Sequence, residues 1–403
     1  MTNEKLGPDL NPAEARHGAL YEPGERYLDP DPYDPDVAKE DGGARPDLDM
    51  PTGKLIRRRF LRHKLAVVSA AFLAFLYLCV PFVEVIAPYE PNRRDAAVIY
   101  APPQAVHLFH EGAFVGPFVY PLGEGVVDKA AFRWKFEPDT STPQPIRFFC
   151  LGERYELWGL IEGRFHLVCP PEGGTLHLLG VDRIGRDVFS RLIYGMRLSL
   201  TVGLVGIAIS LVIGMTLGGM AGYFGGWVDA TVQRMIEVIR SLPELPIWLA
   251  LSAAVPPQWS PVAVFFMISI ILGLLDWPGL ARAVRSKLLS LRDEDFVRAA
   301  ELIGAKPSRV IRRHLLPNFM SHIVVSASLS IPAMILGETA LSFLGLGLRP
   351  PAVSWGVMLA EAQNLTVVEF YPWIAAAMVP VILVVLAFNF LGDGLRDAMD
   401  PYT

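Results

Sequence analysis

The apolar positions of this chain fall into long runs separated by polar stretches. Residues 65–86, "LAVVSAAFLAFLYLCVPFVEVI", can cross about 30 Å of hydrocarbon as a helix. A polar stretch over roughly 88–190 follows, then a second run at 198–224. A third, at about 229–255, contains Glu237, Arg240, Pro243 and Pro246. A fourth, near 261–275, follows the short turn "PPQWSP". The fifth lies at about 319–341 and the sixth at about 372–391. Six apolar runs of this kind predict an all-α membrane protein with six spans.

Charge orients these spans. "KLIRRRFLRHK" at 54–64 flanks the first run and places that end in the cytoplasm. Six crossings return the C-terminus to the same side, together with the loop at 282–318, the richest short basic loop. The long polar stretch translocates whatever its charge and does not vote. The chain is 52% hydrophobic, with a mean hydropathy of +0.35, too apolar for an ordinary soluble domain. Its net charge of −5 hides thirteen acids against five Lys/Arg in the first fifty residues. That acidic, Pro- and Gly-rich segment reads as a disordered, solvated tail, the alternative being a partner-binding segment. It is no signal peptide, since no apolar stretch follows at the right place. The basic segment abuts an apolar run, so it reads as a membrane flank, with no nucleic acid implied.

The expected organisation is a disordered cytoplasmic tail (1–53), a first transmembrane helix (54–87) and an extracytoplasmic insert with a surface helix (88–197). A five-helix core (198–392) carrying the 282–318 loop and a cytoplasmic C-terminal tail (393–403) complete it. In the insert, "PIRFFCLGERYELWGLIEGRFHLVCPP" alternates apolar and polar positions between Gly-containing turns, so mostly strands or irregular structure are expected. Cys150 and Cys169 are a candidate disulfide on the outer face; the alternative is two small buried residues. No Cys/His spacing suits a metal. Residues 188–197 read as an amphipathic helix on the outer surface, with arginines facing headgroups or protein.

In the second span Gly206, Ser210, Gly214, Gly218 and Gly222 recur every four residues, a stripe that lets another helix approach closely. It serves packing within the subunit or a seam against a moving helix or second subunit. Glu237 and Arg240 lie three apart and are expected to pair. Pro243 and Pro246 should kink the third span.

"DEDFVRAAELIGAKPSRVIRRHLLPN" reads as helix, sharp turn, helix. Asp293 caps the first helix. Gly304 ends it in the left-handed conformation. Pro307 opens the second, and Pro317 closes it. Ala299 and Ala300 are expected on the surface, where small side chains permit close approach by a bulky partner.

Paired alanines, a glycine four positions after them and a downstream Leu-Pro resemble the EAA loop of binding-protein-dependent ABC importer permeases. Here they are Ala299, Ala300, Gly304, Leu316 and Pro317. The string "AAELIGAKPSRVIRRHLLPN" resembles the dipeptide/oligopeptide/nickel subfamily. "LLGVDRIGRDVFSRLIYGMRLSL", "ILGETALSFLGLGLRPPAVSWGVML" and "FNFLGDGLRDAMDP" resemble its C-type subunit. The likeness runs over 55–401. It implies the type I ABC importer permease fold in the bacterial plasma (inner) membrane, multi-pass, surrounded by lipid. It implies three kinds of protein partner: a second homologous permease, two cytoplasmic ATPases, and an extracytoplasmic substrate-binding protein that the insert is placed to meet. The implied function is import of peptides by alternating access; nickel, oligosaccharide or antimicrobial peptide are alternatives within the class. Coupling to the ATPases is assigned to Arg298, Ala299, Ala300, Glu301, Gly304 and Pro317. Arg298 stands where relatives carry Glu, so Glu301 or Glu294 is the expected substitute. The chain has no G-x-x-x-x-G-K-[ST] loop, so ATP hydrolysis falls to partner subunits and no cofactor is implied. A membrane hydrolase would need H-E-x-x-H or G-x-S-x-G in its spans, which the sequence lacks. A channel or secondary transporter would show inverted repeats, which are not evident.

Overall fold

The computed structural model describes residues 52–399, apart from 124, 129–132 and 257. The acidic tail at 1–50 and the last four residues lie outside the described residues. Among those described, five helices are long and apolar enough to cross a membrane, and a sixth apolar helix, Glu244–Ala253, is shorter.

The chain opens with the basic helix α1 (Thr52–Arg62) and turns at His63 into α2 (Lys64–Cys79). The His63 ring caps α2 by accepting the Ala66 N–H at 3.1 Å. After a tight turn, α3 (Val83–Ile86) completes the first apolar segment. Among its described residues the insert then forms seven strands: β1 (His107–His110), β2 (Ala113–Val119), β3 (Val126–Asp128), β4 (Arg133–Lys135), β5 (Gln144–Pro145), β6 (Arg147–Leu157) and β7 (Ile161–Cys169). They make three small antiparallel sheets, ordered β1-β2-β5, β3-β4 and β6-β7. Leu157 faces Ile161 at the tip of the last hairpin, and Cys150 and Cys169, near its open end, are joined by a disulfide. A sequence separation of 19 closes a loop whose chain entropy is worth about 3 kcal/mol. Cys150→Ser with Cys169→Ser should therefore speed proteolysis within the β6-β7 hairpin by about a hundredfold in the intact chain. Unchanged cleavage would show that the sheet alone holds the hairpin.

The helical body follows. α4 (Val188–Phe224) is a single helix of 37 residues, about 55 Å long. The separate surface helix expected before the second span is therefore absent: the chain is already helical at Val188. Asp187 starts α4 by accepting the Ser190 N–H at 2.7 Å. The segment read as a continuous third span is two helices, α5 (Gly226–Ser241) and α6 (Glu244–Ala253). Pro243 forces Leu242 into an extended conformation (φ −96°, ψ 139°), which ends α5 there. α7 (Pro261–Leu291), α9 (Met320–Phe343) and α12 (Met378–Met399) are the remaining long helices. Between α7 and α9 sits α8 (Asp295–Leu302); between α9 and α12 sit α10 (Trp355–Glu361) and α11 (Leu365–Phe370).

The small-residue stripe on α4 explains how closely that helix packs on α7. Ser210 and the four glycines of the stripe are all buried. A Cβ on Gly218 would come 2.4 Å from the Ala281 carbonyl oxygen of α7, and one on Gly222 2.8 Å from Leu288 Cβ. Gly214 meets Leu280, and Gly206 meets the Met334 sulfur of α9. Within this chain the stripe thus faces α7 and α9. A second close approach brings α12 against α2, where a Cβ on Gly394 would lie 2.1 Å from Ala66 Cβ.

Candidate functional site

Two regions gather the residues with chemistry: the 292–319 loop, and the junction where the insert meets the bundle.

In the loop, α8 begins at Asp295 with Glu294 at the cap position and no side-chain cap. The expected Asp293 cap does not form; its carboxylate lies 3.7 Å from Arg292 instead. Gly304 has φ +85°, the left-handed conformation that L side chains adopt at a cost. Pro307 opens one regular helical turn (Pro307–Arg309), which widens over Val310–Leu315 and tightens over Leu316–Phe319 into α9. Pro317 does not end a helix. Without an N–H it cannot join a regular ladder, and the winding changes pitch around it.

The paired alanines part company. Ala299 is exposed, but Ala300 turns inward with Val297, Val310 and Leu315 onto Leu280, Val284 and Leu288 of α7. The expectation that both alanines form the surface is corrected: α8 is too amphipathic for neighbours to share a face, and its apolar stripe takes Ala300. Glu301 is exposed and accepts the Tyr223 hydroxyl at 2.6 Å, tying α8 to the end of α4. Arg298, Glu294 and Pro317 are exposed. Beside Gly304, Leu302 and Ile303 are 89% and 88% exposed, an apolar tip that sequence periodicity did not single out.

The expected Glu237–Arg240 pair is also corrected. Glu237 accepts from Arg234 at 2.7 Å. Arg240 turns to a cavity between helices, beside Gly279 of α7.

At the other end of the bundle, two sequence stretches converge. Asp182 accepts from Arg186 Nε at 2.6 Å and Arg191 Nη1 at 2.7 Å. Glu361, at the end of α10, accepts from Arg186 at 2.5 Å and Arg191 at 2.9 Å. Two cations and two anions are thus closed on one another with almost no solvent access; Arg191 is 2% exposed. Of the two surroundings expected for these arginines, headgroups or protein, the structure shows protein for Arg186 and Arg191. Nearby, fully buried Glu338 of α9 accepts the hydroxyls of Ser342 and Ser354, each at 2.8 Å. Ser199 of α4 approaches Glu338 at 3.4 Å and accepts the Trp355 N–H at 3.0 Å. These bonds tie α4, α9 and α10 together.

The insert is held to the same end. Tyr100 stacks on Tyr371 with ring centroids 4.0 Å apart, and the Trp373 indole donates to the Val181 carbonyl at 3.0 Å. Arg197 of α4 pairs with Glu84 at 2.5 Å and lies over the Trp158 ring at the β6-β7 tip. The Tyr89 hydroxyl accepts the Leu176 N–H at 2.8 Å, and burial pushes its pKa up to about 12. It stays protonated throughout the physiological range. Among the described residues no cluster of His, Cys, Asp and Glu could hold a metal ion.

Five long apolar helices, buried charges closed on each other and an inward-folded basic loop define a multi-pass membrane protein. The family described as "Binding-protein-dependent transport system inner membrane component" matches residues 214–403. The "N-terminal TM domain of oligopeptide transport permease C" matches 52–103. The dipeptide transport system permease of Alkalihalophilus pseudofirmus is 40% identical over 228 residues, 56% of this chain and 72% of that protein. The dipeptide permease of Bacillus subtilis is 41% identical over 226 residues, 56% of this chain and 68% of that one. The oligopeptide permease of Haemophilus influenzae is 39% identical over 226 residues, 56% of this chain and 70% of that one. The chain belongs to the dipeptide/oligopeptide branch of the binding-protein-dependent ABC transport permeases.

Proposed function

We propose that this chain is the C-type membrane subunit of an ABC importer that carries peptides across the bacterial inner membrane. In this reading it has the type I permease fold, crosses the membrane six times with both termini cytoplasmic, and pairs with a second homologous permease. The broken α5–α6 segment supplies the third crossing. Two cytoplasmic ATPases bear on the 292–319 loop, and an extracytoplasmic binding protein delivers substrate on the side of the insert.

The observation that carries this reading is the build of the loop. Its inner face, Val297, Ala300, Val310 and Leu315, is fixed onto α7. Its tip, Leu302 and Ile303 beside Gly304, stands free. An apolar tip on a rigid base fits a pocket on a moving partner. Force applied there reaches α4 through Glu301–Tyr223 and passes directly into α7 and α9. ATP-driven closure of the partners would then rock these helices between inward- and outward-open states. The test is reconstitution of the complete complex in vesicles. ATP-dependent uptake of dialanine is expected. Uptake of nickel or an oligosaccharide instead, with none of peptide, would overturn the peptide assignment.

A further inference from the structure

Between α4, α5, α7 and α9 lies a cavity of about 150 Å³, lined by none of the residues of the ion cluster. Its polar lining is Ser210, Arg240, Asp276, Ser326 and Ser330, with Gly279 beside them. Asp276 sits near the middle of α7, at the depth where an ionisable side chain is most costly unless it has work to do. Ser210 donates to its carboxylate at 3.1 Å, and Ser330 lines the cavity from the α9 side. Arg240 lines the cavity from α5 while itself remaining exposed. Its guanidinium occupies the space left open by Gly279, where a Cβ would come within 2.9 Å of Nη2. Glu244, at the start of α6, is the other carboxylate near Asp276.

Buried opposite charges close on one another at the end of the bundle, as Asp182, Arg186, Arg191 and Glu361 do. Asp276 and Arg240 instead face a shared cavity, with hydroxyls around the acid and a glycine making room for the base. The space accepts several waters or one end of a small solute at a time, so a peptide would present its ammonium and carboxylate ends to it in turn. Its charges match a molecule carrying both an ammonium and a carboxylate.

We propose that Asp276 and Arg240 form a charge-selective subsite on the translocation route. Asp276, with the hydroxyls of Ser210 and Ser330, takes the ammonium end of a passing peptide, and Arg240 takes the carboxylate end. The subsite rests on the peptide-importer reading above and adds to it a selection made within the membrane subunit rather than by the binding protein.

The test uses the complete complex in vesicles and three probes: dialanine, N-acetyl-dialanine and dialanine amide. Uptake is normalised to the amount of folded chain and compared with the unmodified complex, so that binding-protein preference cancels. Asp276→Asn should cut uptake of dialanine and its amide about tenfold or more, the scale of one hydrogen bond to a charged group, while N-acetyl-dialanine loses little. Arg240→Gln should cut dialanine and N-acetyl-dialanine by a similar factor and spare the amide. Equal losses on all three probes, or no loss, would overturn the subsite and leave the importer reading standing. If the unmodified complex carries none of the three, the peptide reading fails and the subsite falls with it.

Discussion

Arg191→Met is expected to destabilise the folded chain by about 3–5 kcal/mol. Arg191 bridges Asp182 at 2.7 Å and Glu361 at 2.9 Å, and both acids also bind Arg186. Removing one cation leaves a buried cluster with two carboxylates and one guanidinium. The remaining acids cannot be rehydrated, since the groups around them are themselves buried. Arg191→Lys should fall between, because an ammonium keeps the charge but cannot reproduce the guanidinium fork. Thermal unfolding of the purified full chain reads this directly. A change within about 1 kcal/mol for Arg191→Met would mean the cluster does not clamp α4 to α10.

Gly304→Asp should abolish function while sparing the fold. Apart from its two chain neighbours, no heavy atom of the described residues lies within 4 Å of a Cβ built at Gly304, so there is open space for a side chain to begin. The φ of +85° is strained for most residues, but Asp tolerates the left-handed region, and the cost is of order 1 kcal/mol. The side chain does, however, place a charge beside the exposed apolar tip of Leu302 and Ile303. If that tip seats on an ATPase, peptide uptake should fall at least tenfold with unchanged amounts of protein in the membrane. ATP hydrolysis should persist but no longer respond to substrate. Normal uptake by this variant would remove the loop from the coupling route.

Much of the bundle was legible along the chain because its determinants are local. The apolar runs at 65–86, 319–341 and 372–391 lie within or nearly coincide with Lys64–Ile86, Met320–Phe343 and Pro372–Met399. The left-handed glycine at 304 and the helix start at Pro307 follow from the backbone freedom of one residue and the fixed φ of the other. Where the reading departed from the structure, the deciding partner was distant in sequence. Arg240 had Glu237 three residues away, yet it turns to Gly279 and the Asp276 cavity. For Arg191 the choice between headgroups and protein stayed open along the chain because Glu361 lies 170 residues further on. A signal existed: "VDRIGRDVFSR" concentrates charges just before a span, which is costly unless they neutralise one another.

Sequence alone determined which segments are apolar enough to enter a membrane, where Gly and Pro interrupt them, and the motifs that define the family. Those properties are carried by single residues or by spacing along one helix. Only the tertiary structure decided that the glycine stripe of α4 is filled by α7, that Ala300 faces inward while Ala299 stays on the surface, and that four separated charged residues close into one buried cluster. Each depends on which helix arrives opposite a given face. In a bundle of similarly apolar helices, that choice is made by close packing and charge neutralisation between residues far apart in the chain, and hydropathy does not encode it.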